Sequence, residues 1–184
     1  MIKGIVCVAD DFGIGKANGL LFNIPADMAH FRKETTGKIC VFGYNTYMSL
    51  PKRPLKNRVN IVLWDKAESM DCLEGAITFN KFDALLNFIK VLAKEYDVYI
   101  CGGQGLYTAF MPYYDAIDIT FVDATDPETT AFFPDLTKYD YVPVMKEVYH
   151  KEDGPTGTNG YLISNQLWVK NYSEYDIRED CMIK

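Results

Sequence analysis

The residues best placed by type and spacing to do chemistry lie in Phe22 to Lys38, reading F-N-I-P-A-D-M-A-H-F-R-K-E-T-T-G-K. Pro25 suits the first turn of a helix, where its missing N–H is not needed, and Gly37 suits the far end. The spacing therefore predicts a helix from Pro25 to about Thr36. Asp27 then sits in the first turn, flanked by the apolar Met28 and Phe31 on the same face. An acid set among apolar neighbours suits a cationic or amidine-like ligand. The helix macrodipole also accounts for an acid at this place, and the local sequence leaves both readings open.

Two further stretches carry a phosphate-binding pattern. Lys38 to Phe42 reads as a strand ending at Gly43, followed by a helical turn from Asn45 to Leu50 with Thr46 near its start. Asp97 to Cys101 reads as another strand, running into Gly102-Gly103-Gln104-Gly105 and a helix from about Leu106 to Met111. A strand, then glycine, then a helix N-terminus lets a phosphate approach the backbone closely and meet unpaired N–H groups. Two such corners on one pyrophosphate make a more specific proposal than either alone, with ordinary tight turns as the alternative. Arg58 offers a planar fork suited to a carboxylate, or is a surface arginine.

Around these groups, Gly4 to Ala9 reads as a strand buried on both faces. Asp10 to Ile24 reads as a loop. Its Gly13-Ile14-Gly15 and Gly19 resemble a dinucleotide fingerprint, but that pattern needs a helix to start at the glycines, and Pro25 starts one too late. The loop is read instead as a glycine-hinged lid. Strands are expected at Val59 to Leu63, Ala76 to Phe79 and Ile117 to Val122, and a helix at Phe82 to Lys94. A polar loop spans Thr125 to Thr130, and Tyr141 to Tyr149 with Tyr161 to Tyr172 form a closing antiparallel pair joined around Gly154 to Gly160. The fold class expected is α/β, a mixed, mainly parallel central sheet flanked by helices, with a C-terminal antiparallel hairpin. Residues 1–172 are expected to form one domain and residues 173–184 a charged C-terminal extension.

The 184 residues are 48% hydrophobic, enough for one domain with a real core. Acids outnumber bases 25 to 19, for a net charge of −6, and no basic block stands out, which argues against a nucleic-acid partner and for small ligands. The opening M-I-K-G-I-V-C-V-A-D turns acidic after a very short apolar run and reads as the first strand of a cytoplasmic protein, not as a signal peptide or membrane span. Cysteines 7, 40, 72, 101 and 181 show no C-x-x-C spacing and are expected to be reduced. With His30 and His150 as the only histidines, neither a metal site nor a histidine-based triad is expected.

In order along the chain come G-I-G-K-A-N-G-L, P-A-D-M-A-H-F-R-K-E-T-T-G-K, V-F-G-Y-N-T-Y-M-S-L-P, R-P-L-K-N-R-V-N-I-V-L and C-G-G-Q-G-L-Y-T-A-F-M-P. This series resembles the dihydrofolate reductase family, from about Ile2 to Pro134 and more weakly to Asn171. The resemblance implies hydride transfer from NADPH to dihydrofolate, giving tetrahydrofolate for one-carbon and thymidylate metabolism. It makes Asp27 the single ionisable group in the pterin pocket, accepting hydrogen bonds from the ring's 2-amino group and N3 and favouring protonation at N5. Thr120 would steady that carboxylate through its hydroxyl, though a β-branched residue is equally at home in a strand. Ile5, Cys7, Met28, Phe31, Leu50 and Cys101 would form the apolar walls, and Arg58 would take the α-carboxylate of the glutamate tail.

For the cofactor, the resemblance implies Gly43, Asn45, Thr46, Gly102, Gly103 and Gly105 at the phosphates and Ile14, Gly15 and Leu20 over the nicotinamide. It extends the set to Cys7, Leu63, Cys101, Gln104, Leu106 and Tyr107. Three positions depart from the family. Phe22 stands where a tryptophan is usual and would alter proton delivery. Tyr44, Trp64, Asp65 and Lys66 stand where arginines and a hydroxyl usually serve the 2′-phosphate, which keeps NADH as an alternative to NADPH. Gln104 follows the glycine pair and disturbs little. Other readings are a related pterin or pyrimidine reductase on the same scaffold, against which Asp27 with Arg58 argues, or a non-catalytic folate- or nucleotide-binding assembly protein. The sequence leaves the oligomeric state open.

Overall fold

The computed structural model describes residues 1–17, 19–68, 72–149 and 157–170. His150, the loop from Gly154 to residue 156, Cys181 and the expected extension 173–184 lie outside the described residues.

The apolar run near the N-terminus forms β1 (Ile2–Ala9), the centre of an eight-stranded sheet. The chain continues through β2 (Gly13–Lys16), β3 (Gly19–Leu20), α1 (Pro25–Thr35), β4 (Ile39–Gly43), α2 (Tyr44–Ser49), β5 (Val59–Leu63), β6 (Ile77–Phe79) and α3 (Phe82–Leu92). It then runs through β7 (Val98–Ile100), α4 (Gln104–Phe110), β8 (Ala116–Val122), β9 (Ala131–Phe132), β10 (Tyr141–Tyr149) and β11 (Ile163–Lys170). The sheet order is β10-β11-β8-β1-β7-β4-β5-β6. From β8 to β6 every pairing is parallel, while β11 runs antiparallel to both β8 and β10. This is the mixed α/β sheet with a terminal hairpin that the sequence implies.

Because side chains alternate along a strand, the two faces of the sheet differ in chemistry. Val6, Val8, Val41, Ile61, Ile100, Ile117 and Ile119 join Leu85, Leu86 and Ile89 of α3 and Leu106 and Phe110 of α4 in one dry core. Intervening positions, Cys7 on β1 and Asp118 and Thr120 on β8, belong to the opposite face. That face therefore carries polar groups, and His30 of α1 reaches Asp118 there. A smaller core, Cys40, Phe42, Tyr47 and Val62, lies beside them under α2.

Two expectations from local pattern need correction. The segment after β1 is not a plain loop: β2 pairs with β3 and, from far along the chain, with β9, in a separate three-stranded sheet. Its partner at Ala131–Phe132 is too remote for local periodicity to register. The helix expected from Leu106 begins at Gln104 and is followed by a 3-10 turn at Met111–Tyr113.

Candidate active site

In a sheet of parallel strands, ligands gather beyond the carboxyl ends where neighbouring connections run in opposite directions. Here β1 is flanked by β7 and β8, and a cleft of about 860 Å³ opens at that edge, a volume suited to a ligand of cofactor size. The cleft is lined by Cys7 near the end of β1, by Gly43 to Thr46 after β4, by Leu63 to Lys66 after β5 and by Cys101 to Tyr107 after β7. The small sheet closes one side with Ile14, Gly15, Lys16, Gly19 and Leu20. Every residue expected at a cofactor thus lines one cavity. The sequence reading missed Val6, Lys16, Ser49, Thr130 and Ala131, the last two because they arrive from the distant β9 region.

The two glycine corners touch. The Gly43 N–H donates to the Gly102 carbonyl at 2.6 Å, so the N–H groups left for a ligand are those of residues 44–46 and 104–106 in the first turns of α2 and α4. Neither helix has a side-chain cap at its start. A Cβ on Gly103 would lie 2.9 Å from Thr46 Oγ1 and fill the notch between the corners. Gly102 has φ +103, and a Cβ there would press the Tyr107 ring at 3.1 Å. Tyr107 is itself a strut: its hydroxyl donates to the Ile5 carbonyl at 2.8 Å and its ring packs edge-on against Phe133. Gln104 does more than follow the glycines, since its side-chain oxygen accepts the Phe132 N–H at 2.9 Å and ties the small sheet to α4.

At the far end Tyr44 and Trp64 stack, ring centroids 4.5 Å apart and planes 18° from parallel, with Asp65 and Lys66 exposed beside them. The rim at this end is aromatic and of mixed charge.

Asp27 does not face bulk water. It is 8% exposed, and the nearby Thr120 hydroxyl favours its ionised form. Burial holds its carboxyl above the ordinary range. The Thr120 hydroxyl and nearby His30 pull it back, and Asp118 pushes it further up. Asp27 in turn adds to the burial that raises the Cys7 thiol, which links the acid electrostatically to the cleft wall. Burial likewise raises Cys101, so both thiols are poor nucleophiles. Two titratable neighbours act on this acid, since His30 Nε2 and Asp118 Oδ2 lie 2.8 Å apart within its electrostatic reach. A histidine three residues after an acid was the signal available in the sequence; its partner on β8 was not.

Of the other expected substrate residues, Cys7 and Cys101 line the cleft, whereas Ile5, Met28, Phe31, Leu50, Arg58 and Thr120 are not in its lining. Ile5 and Thr120 are buried, while Met28, Phe31, Leu50 and Arg58 are half-buried. Leu50 packs against the small core under α2. The Arg58 guanidinium stands over the Phe31 ring. Its Nε–H donates to Thr35 Oγ1 at 2.9 Å, and its Nη groups donate to the Lys56 carbonyl and Thr36 Oγ1, which fixes the plane of the fork. Phe22 tilts against Tyr161, centroids 5.1 Å apart, in an apolar cluster that includes Cys7, and offers no polar hydrogen to the acid.

The sequence model of the family described as dihydrofolate reductase matches residues 1–164. The chain belongs to the dihydrofolate reductase family. It is 33% identical over 141 residues to the dihydrofolate reductase of Haemophilus influenzae, covering 76% of this chain and 82% of that one. It is 34% identical over 134 residues to that of Neisseria gonorrhoeae, covering 73% and 79%. Among solved structures it is similar to the dihydrofolate reductase from Enterococcus faecalis complexed with NADP(H) and RAB-propyl. That match has a TM-score of 0.79 over 93% of this chain and 96% of the other, at 23% identity, a likeness of fold. Among the described residues no helix is long and apolar enough to cross a membrane.

Proposed function

We propose that this dihydrofolate reductase family member reduces dihydrofolate to tetrahydrofolate with NADPH, within a single domain of residues 1–172 to which residues 173–184 are appended. The observation that carries this is a buried carboxylate, Asp27, whose charge reaches Cys7 on the wall of a cavity bounded by two touching glycine corners. The residues present fit a dinucleotide: the notch at Gly103 and Thr46 would be filled by a single Cβ, and uncapped N–H groups flank it on both sides. NADPH, when bound, supplies the hydride for C6 of the pterin.

The chain's own residues bind, orient and protonate. The first turns of α2 and α4, with Thr46, hold the phosphates, and Ile14, Gly15 and Leu20 exclude water over the nicotinamide. Asp27 accepts the 2-amino and N3 hydrogens of the pterin, fixes its face and favours a proton at N5. Its raised proton affinity makes it a better proton carrier than an exposed carboxylate. Thr120 favours the ionised carboxylate, and the pre-oriented Arg58 fork takes the tail carboxylate. Most of the rate then comes from positioning and electrostatics.

The test is direct. Purified protein with dihydrofolate should consume NADPH, followed by loss of reduced-nicotinamide absorbance, and Asp27→Asn should slow turnover by roughly 10²–10⁴-fold while the protein stays folded. An unchanged rate in Asp27→Asn would return that acid to helix stabilisation.

A further inference from the structure

We propose that His30, clamped by Asp118, is a positioning residue for Asp27, and that the charge on its ring favours the ionised form of that acid. Helix α1 and strand β8 meet in two consecutive rungs. On the first, Thr120 faces Asp27 and favours its ionised form; on the second, His30 Nε2 and Asp118 Oδ2 are 2.8 Å apart. Three residues along a helix advance ~4.5 Å and two along a strand ~6.6 Å, so a helix crossing the strand obliquely keeps both rungs closed. A third contact follows on the same helix face, where Tyr99 of β7 donates its hydroxyl to Glu34 at 3.4 Å.

The charges facing His30 are Asp27 and Glu34 from its own helix and Asp118 from β8. From β7 comes the Tyr99 hydroxyl, with Lys3 of β1 over that ring. Leu167 of β11, in register with Asp118, adds no charge. Asp27 is faced by His30 on α1, Thr120 and Asp118 on β8, and Cys7 on β1. Among the described residues His30 is the cation whose charge acts on this acid, with Asp118 opposing it. The side chains of His30 and Asp118 are 23% and 18% exposed, dry enough for charge to carry but wet enough for the imidazolium to persist. The hydrogen bond to Asp118 raises His30 above its ordinary value, with burial opposing, so the ring keeps its proton to higher pH than a free imidazole does. While it does, its charge favours the ionised form of Asp27 against the effect of burial. When His30 releases its proton to solvent, Asp118 is left as an uncompensated repeller and Asp27 binds a proton more readily.

This inference rests on the reading of Asp27 as the acid of the reductase site, but its test needs no turnover. The carboxyl carbon of Asp27, labelled with ¹³C and assigned by its loss in Asp27→Asn, is titrated by NMR in the unliganded full chain. In the wild type the resonance should show its own inflection and a second, smaller one where the His30 ring titrates. In His30→Gln, which keeps an N–H for Asp118 but no charge, the second inflection should vanish and the first midpoint should rise by about one pH unit. The pH profile of turnover should move by the same amount, whereas a purely structural role would leave both in place. A midpoint in His30→Gln within about 0.2 of the wild-type value, or a wild-type curve with no inflection at the His30 titration, would overturn the proposal. The wild-type curve decides alone if the variant fails to fold. A protein that titrates as expected yet consumes no NADPH would support this inference and overturn the reductase reading.

Discussion

Replacing Gly103 with alanine tests how the cofactor cleft is built, because the cost can be worked from one contact. The Gly103 backbone sits at φ −88 and ψ −153, a conformation alanine adopts without strain, so the fold should survive. The added Cβ would lie 2.9 Å from Thr46 Oγ1, closer than carbon and a hydroxyl oxygen can approach, and nothing else is crowded. The short Thr46 side chain must therefore turn its hydroxyl out of the notch. Losing one hydrogen bond to a charged phosphate oxygen is worth roughly 1.5–3 kcal/mol, or about 10- to 150-fold in NADPH affinity. Thermal stability should change little, since overpacking of ~1 kcal/mol is offset by the ~0.4–1 kcal/mol gained when alanine restricts the unfolded chain. NADPH binding is read by quenching of intrinsic fluorescence across a cycle of Gly103→Ala, Thr46→Ala and the pair. Thr46→Ala should weaken binding comparably, and the double variant should lose little more than either single one. Fully additive losses, or a Gly103→Ala protein binding NADPH within about twofold of wild type, would refute the assignment of Thr46 to the phosphate.

Three other outcomes follow from the same geometry. Asp65→Ser should raise kcat/KM for NADPH relative to NADH by about fivefold, the equivalent of ~1 kcal/mol of relieved repulsion at an exposed rim; an unchanged cofactor ratio places Asp65 away from the 2′-phosphate. Burial raises the Asp27 carboxyl, so the native state binds its proton more tightly than the unfolded chain. The stability this gives is present below the ordinary carboxyl range and lost as pH rises through the raised native value, so Asp27→Asn should raise Tm at pH 7, with the gain shrinking towards pH 4. A gain that grows on acidification would contradict the sign. Tyr107→Phe removes the hydroxyl that serves the buried Ile5 carbonyl and should cost about 1–3 kcal/mol, lowering Tm by roughly 3–10 °C, measured by calorimetry.

The sequence alone set the strands and helices whose partners lie within their own pattern. Pro25 and Gly37 bracket α1 because one restricts the backbone and the other frees it locally, and the apolar run at Gly4 to Ala9 reads as a strand buried on both faces. It also named the glycine corners and Asp27, since their chemistry follows from residue type. Tertiary structure decided what each of these meets. The pairing of β2 with β9, the closure of Gly43 onto Gly102, the Tyr44–Trp64 stack and the His30–Asp118 rung each join residues tens of positions or more apart. No local periodicity encodes such contacts, because they depend on the order in which parallel strands stack. The same holds for the proton affinity of Asp27: the acid is in the sequence, but its burial and its charged neighbours exist only once α1 lies across β8.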